Sequence, residues 1–221
     1  MNLLHTVHVP AGRGPFPTVI ALHGWGANAH DLLGLAPYFN GGEALVVCPE
    51  GPLAFQAGPG AVGHGWFPIS GGAAPDTAAF EESVVGLDAF LEGWLAAHPA
   101  EPSKLVLLGF SQGGVMAYAL ALRNPARYAA LVALSSWLPE ELAGRMAPCP
   151  EDVSLPVFIS HGSEDPMIPI ARAEESNERM RGLGYAPLYR EYKMQHEIRP
   201  ECLRDLVGFL DDKVFAPIQP T

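Results

Sequence analysis

The chain has 221 residues, 48% of them hydrophobic and 17% charged, with a formal net charge of −11. That length suits one sizeable domain with a real core and leaves little room for a separate cap domain. The composition is that of a folded globular protein, and the acidic balance argues against nucleic acid or a polybasic membrane surface as partner, since phosphates call for Lys and Arg.

In chain order, residues 4–9 predict an antiparallel strand at one sheet edge. Short apolar runs follow at 18–22, stopped by His23-Gly24, and at 44–48, stopped by Pro49. Residues 51–75 break the pattern. They are rich in Gly, Pro and Ala but carry Leu53, Phe55, Val62, Trp66, Phe67 and Ile69. The aromatics predict a flap folded over a site; the alternative is a mobile surface loop. Residues 77–97 place Val84, Leu87, Phe90, Leu91 and Trp94 at helical spacing, with Asp76 or Thr77 as cap. The apolar run 105–108 leads into Gly109-Phe110-Ser111-Gln112-Gly113, and 112–122 reads as a helix that is small and apolar nearly all round. Further apolar runs at 129–134, 157–160 and, more weakly, 188–192 alternate with helical stretches at 171–183 and 200–210. Short continuous apolar runs bounded by Gly or Pro suit strands buried on both faces. Their alternation with helices predicts an α/β fold with a mostly parallel sheet and helices on both faces. We expect a single domain over 1–213, with 51–75 as its flap and 214–221 as a loose tail. No segment reads as a signal peptide or membrane span. Cys48, Cys149 and Cys202 are odd in number and lack metal-ligand spacing, which predicts reduced thiols in a cytoplasmic protein.

The chemistry starts at Ser111. A small-x-Ser-x-Gly pentapeptide between strand and helix makes a tight turn that thrusts the serine out at the carboxyl end of the sheet. The same bend places the Gln112 amide where an oxyanion would form. A serine needs a base, and the base needs an acid to orient it, in the order Ser, acid, His along the chain. His196 stands in a loop after the last strand and Asp165 in a loop after the strand at 157–160. Glu164 is adjacent and the pattern alone leaves both carboxylates open; the shorter side chain beside Pro166 favours Asp165. Of the other histidines, His23 and His161 precede Gly at strand ends and are expected to shape loops, His64 lies in the flap, and His5, His8 and His98 are bland. The second oxyanion donor is expected from the loop His23-Gly24-Trp25-Gly26, at the Trp25 amide.

Five blocks together resemble the small carboxylesterase, phospholipase and acyl-protein thioesterase family of α/β-hydrolases. They are His23-Gly24-Trp25-Gly26, Gly65-Trp66-Phe67-Pro68-Ile69, Gly109 to Gly114, His161 to Pro169 and Tyr192 to Glu197, in the family's order over nearly the whole chain. The resemblance implies an α/β-hydrolase fold without a cap domain. It also implies Ser111 as nucleophile, Asp165 and His196 as its partners, and the Trp25 and Gln112 amides as the oxyanion hole. It implies no cofactor and no metal, with a small-molecule acyl ester as substrate. Members are often homodimers, though no stretch here marks an interface. Trp66, Phe67, Trp137 and Met167 are the expected substrate contacts, with core packing as the alternative for Trp137. Two departures stand out: Trp25 where many members carry Leu, and Pro68 where Asp often follows Trp-Phe. The expected activity is hydrolysis of short- to medium-chain esters or thioesters. The rivals are a lysophospholipase or acyl-protein thioesterase, a small serine peptidase, a lactonase (disfavoured by Ser rather than Cys at the elbow), and a non-catalytic binding protein.

Overall fold

The computed structural model describes residues 2–69 and 77–216. The expected cap Asp76, the end of the 51–75 flap and the tail beyond 216 lie outside the described residues. Among the described residues nine strands are formed: β1 (His5–His8), β2 (Phe16–Leu22), β3 (Leu45–Pro49), β4 (Leu53–Gly58), β5 (Ala61–Gly65), β6 (Ala100–Phe110), β7 (Ala130–Leu134), β8 (Val157–Gly162) and β9 (Leu188–Tyr192). The helices are α1 (Thr77–Ala97), α2 (Gln112–Arg123), α3 (Glu140–Ala143), α4 (Ala171–Gly182) and α5 (Pro200–Leu210).

Seven strands form one sheet in the order β1-β3-β2-β6-β7-β8-β9. β1 runs antiparallel to β3, as the edge-strand expectation had it, and every other neighbouring pair is parallel. Strand alternation divides the core. Leu105 and Leu107 of β6 join the cluster under α1, α2 and α4, whereas Val106 and Leu108 join the cluster under α5. Such side chains, fully buried, each contribute roughly 1.5–3 kcal/mol. The small, mostly apolar α2 is explained by its position, with Gln112 to Leu122 all buried against the sheet and beside α1. Among the described residues no separate cap domain stands over the sheet.

The sequence pattern misses three details. The described part of the flap is a hairpin, β4 paired antiparallel with β5, whose Gly-rich strands carry too few apolar residues to show the two-residue period. Residues Leu33–Gly42 form 3₁₀ turns interrupted by a kink around Phe39 to Gly41, with Pro37 inside. They bury Ala36 and Phe39 on the α5 side without any helical period. β6 begins at Ala100 rather than 105, because Ala100 still pairs with Phe16 across a register shift.

Because the six central strands run parallel, their carboxyl ends share one rim. The segments after β2 (His23 to Trp25), β6 (Ser111), β7 (Ser135 and Ser136), β8 (Asp165) and β9 (His196) therefore converge there.

Candidate active site

Ser111 joins β6 to α2 with φ 54° and ψ −121°. Non-glycine residues rarely take such a conformation, which costs on the order of 1–3 kcal/mol. Three hydrogen bonds hold it. The Ser111 N–H donates to Leu134 O at 2.9 Å, the Gly114 N–H donates to Ser111 O at 2.9 Å, and the Ser136 hydroxyl donates to that same oxygen at 2.7 Å. Gly113 lets the first turn of α2 lie against the end of β2. A Cβ at Gly113 would stand 2.0 Å from Leu22 O and 2.6 Å from His23 O. Gln112 is thereby brought beside the loop that carries Trp25. As the first residue of α2, it has an N–H without an intrahelical acceptor.

The expected acid and base are joined. His196 Nδ1 lies 2.7 Å from Asp165 Oδ2, and the Asp165 side chain is fully buried. Asp165 Oδ1 accepts the main-chain N–H groups of Met167 and Ile168 at 2.8 and 2.9 Å. Burial alone would raise this carboxyl; the Ile168 amide, His196 and the Met167 amide outweigh it and hold its pKa below the usual carboxylate range. Glu164 faces elsewhere, half exposed and 3.9 Å from Lys193 Nζ. The His196 imidazole packs on the ring of Phe110 at 4.9 Å between centroids, which sets it against the residue before Ser111. No hydrogen bond joins the Ser111 hydroxyl to His196 here; such contacts often tighten only around a bound substrate.

A second imidazole touches the acid. His161 Nε2 is 2.8 Å from Ile168 O and 3.3 Å from Asp165 Oδ2. Both neighbours are acceptors, so Nε2 carries the proton and the buried Nδ1 has no partner among the described residues. Burial lowers the His161 pKa and keeps the ring neutral.

On the opposite side of Ser111, β5 is stitched to the loop after β2. The Gly26 N–H donates to His64 O at 2.8 Å and the His64 N–H to Ala27 O at 2.9 Å. The Trp25 indole, 37% exposed, stacks on Phe55 of β4 at 4.2 Å and 17°. It also lies across Gly65, where a Cβ would strike the ring at 2.3 Å. The structure places Trp66 and Phe67 in the core rather than on the rim. Both are 1% exposed, and Phe67 meets Phe80 edge-on at 5.2 Å. Two large apolar rings that reach the cluster under α1 gain more from the core than from solvent, so the expected substrate contact is corrected for this pair. Trp137 is half-buried against the same core, and Met167 is 71% exposed beside Asp165. His64 Nε2 lies 3.5 Å from Glu50 Oε1. Sequence reasoning noted Ser136 only as the start of the block Ser136-Trp137-Leu138-Pro139, from which it singled out Trp137, and gave the serine no role. It named Phe55 only among the flap aromatics. Among the described residues no group of three or more His, Cys, Asp or Glu could hold a metal ion, and no helix is long and apolar enough to cross a membrane.

The arrangement can support serine-based acyl transfer: a strained serine at a helix start, an imidazole bonded to a buried carboxylate, and a loop of main-chain amides opposite. Comparison with known proteins bears on this. The sequence profile of the phospholipase/carboxylesterase family matches residues 6–214. Acyl-protein thioesterase 1 of Gibberella zeae is 29% identical over 216 residues, 91% of this chain and 92% of that protein. The esterase PE8 structure superposes with a TM-score of 0.84 at 26% identity, covering 97% of this chain and 100% of that one. A carboxylesterase from Bacillus cereus shares the fold, with a TM-score of 0.81 at 20% identity over 96% of this chain and 94% of that one.

Proposed function

Since the chain belongs to the phospholipase/carboxylesterase family of α/β-hydrolases, and is a serine hydrolase, we propose that it is a carboxylesterase acting on short- to medium-chain acyl esters through Ser111, His196 and Asp165. The observation that carries the reading is the 2.7 Å Asp165–His196 bond on the same rim as the strained Ser111.

His196 Nε2 takes the Ser111 Oγ proton as Oγ bonds to the acyl carbon. The carbonyl oxygen becomes an oxyanion held by the Trp25 and Gln112 amides. The tetrahedral centre collapses, the bond to the leaving oxygen breaks, and that oxygen takes the proton from His196. Water, deprotonated by His196, then attacks the acyl-enzyme; the acid is released and the proton returns to Ser111. Asp165 keeps His196 in the tautomer with Nδ1 protonated, leaving Nε2 free to accept. The Trp25–Phe55 stack and the exposed Met167 supply an apolar wall for the acyl chain, open to solvent without a cap domain.

A thioester substrate is the second reading, favoured by the similarity to acyl-protein thioesterase 1 over 91% of the chain. The two are separated by a chain-length series of p-nitrophenyl esters run beside an acyl thioester, on wild type and Ser111→Ala. Turnover that peaks at one chain length and vanishes in Ser111→Ala is the expected result. Full esterase activity in that variant would sink the reading.

A further inference from the structure

An oxyanion hole built from residues 25 and 112 draws its donors from the ends of two different strands. Such donors act only when held within a few tenths of an ångström of where charge develops. One buried residue is bonded to both donor segments. The Trp66 indole N–H donates to His23 O at 2.8 Å. The Trp66 main-chain N–H donates to Gln112 Oε1 at 2.8 Å, and Gln112 Nε2 donates to Phe67 O at 2.7 Å. The chain of bonds thus runs from the Trp25 loop through Trp66 to the Gln112 side chain.

The direction of the Trp25 N–H is fixed in the same network. The Gly51 N–H donates to His23 Nε2 at 2.9 Å, so His23 carries its proton on Nδ1, which donates to Gly24 O at 2.8 Å. Gly24 C=O and Trp25 N–H belong to one peptide unit and point opposite ways across its plane. Pinning the oxygen on one side therefore aims the N–H out on the other. Burial lowers the His23 pKa, which suits a ring that must keep a lone pair for Gly51. The His23 ring lies 5.3 Å from the Trp66 ring, so the two elements also pack together.

We propose that Trp66 is a positioning residue for the oxyanion hole: its two N–H groups hold the His23-Gly24-Trp25 loop and the Gln112 end of α2 at a fixed separation. The inference rests on the Ser111 reading above. A merely apolar brace would need only the ring, and Phe would serve; the proposal requires the indole N–H.

The test uses Trp66→Phe, which keeps an aromatic ring and loses that N–H. Gln112→Met accompanies it, removing the other end of the brace while leaving the Gln112-position amide in place. Each is assayed well below its own Tm for ester kcat and KM, and for affinity toward an alkyl trifluoromethyl ketone, whose adduct with the serine carries an oxyanion. Loss of a whole oxyanion donor costs about 10²–10³ in kcat, so displacement of a donor should cost about 10- to 100-fold. We expect that loss in kcat for both variants, KM within about two-fold, and ketone affinity reduced in step with kcat/KM. A lowered Tm with wild-type kcat and ketone affinity in either soluble variant overturns the proposal. Ser111→Ala is run alongside: if it keeps ester turnover, the reading of the site has failed instead. An inactive Ser111→Ala beside unaffected Trp66→Phe and Gln112→Met refutes the brace alone. Should Trp66→Phe fail to fold, Gln112→Met carries the test.

Discussion

Replacing Asp165 by Asn tests the site at its most constrained point. Asp165 Oδ1 accepts two main-chain N–H groups, at 2.8 and 2.9 Å, while Oδ2 faces the ring nitrogens of His196 at 2.7 Å and His161 at 3.3 Å. An asparagine has one oxygen for these two duties. The amides of Met167 and Ile168 can only donate, so they select the oxygen and turn the NH₂ toward His196. His196 Nδ1 must then accept, and its proton moves to Nε2, where the base is required to take a proton from Ser111. The carboxylate charge that stabilises the imidazolium is lost as well. The same exchange in a serine protease triad lowers kcat about 10⁴-fold, or about 5.4 kcal/mol in barrier. We expect a fall of that order for Asp165→Asn, measured as kcat/KM on a p-nitrophenyl ester at pH 7.5. Its NH₂ also confronts the His161 Nε2–H, a donor against a donor, at about 1–2 kcal/mol of stability. Glu164→Gln is the companion variant. Its carboxylate is exposed and only loosely paired with Lys193, so activity within about two-fold of wild type is expected. An Asp165→Asn enzyme retaining more than a tenth of wild-type activity, or the larger loss appearing in Glu164→Gln, would refute the assignment.

Gly113→Ala drives a methyl to within 2.0 Å of the Leu22 carbonyl, where only backbone movement can relieve it; we expect insolubility or a loss of about 3 kcal/mol or more, and an unchanged urea midpoint would contradict it. Acid should destabilise the fold in two stages. His23 and His161 have folded pKa values lowered from 6.5, so their stability is complete above that value and is lost as pH falls toward the folded pKa values. Asp165, lowered from 3.8, keeps its contribution until much stronger acid. The groups facing His23 are Asp31, Glu50 and His64, and those facing His161 are Asp165, His196 and Glu191. Tm measured at pH 7.5, 6 and 5 at fixed ionic strength should fall; a rise on acidification would show these rings are not held neutral. Trp25→Ala removes the partner of Phe55, a stack worth about 0.5–1.5 kcal/mol, and should move the preferred ester toward longer acyl chains; an unmoved chain-length profile would show that the indole does not face the acyl group.

The inner strands of the central sheet were legible because they are buried on both faces, which compels an unbroken apolar run such as Leu105 to Leu108, whereas the half-exposed edge strand β9 reads only weakly. The residues at their carboxyl ends were legible for the same reason: once the strands are placed and parallel, Ser111, Asp165 and His196 must share a rim. The choice between Asp165 and Glu164 rests on which carboxylate reaches the Met167 and Ile168 amides, a matter of loop geometry with no sequence period. The hairpin and the 3₁₀ segment at Leu33–Gly42 were illegible because Gly and Pro interrupt any periodicity. Trp66 misled in an instructive way. An aromatic in a Gly-rich stretch reads as a rim residue, and only the bonds of its indole to His23 and of its amide to Gln112 reveal a buried one.

The Trp25–Phe55 stack has an evolutionary consequence. One ring stands on a loop locked to the sheet, the other on a hairpin joined to that loop chiefly through two backbone hydrogen bonds between residues 26–27 and His64. Backbone bonds tolerate almost any side chain. Exposed hairpin positions such as Gln56 and Val62 are therefore free to drift, and Phe55 can be exchanged without disturbing the buried strands. On the proposed reading of the site, selection can thus retune which acyl groups are admitted on a short ribbon, while Ser111 and Asp165 on the buried strand ends descend unchanged.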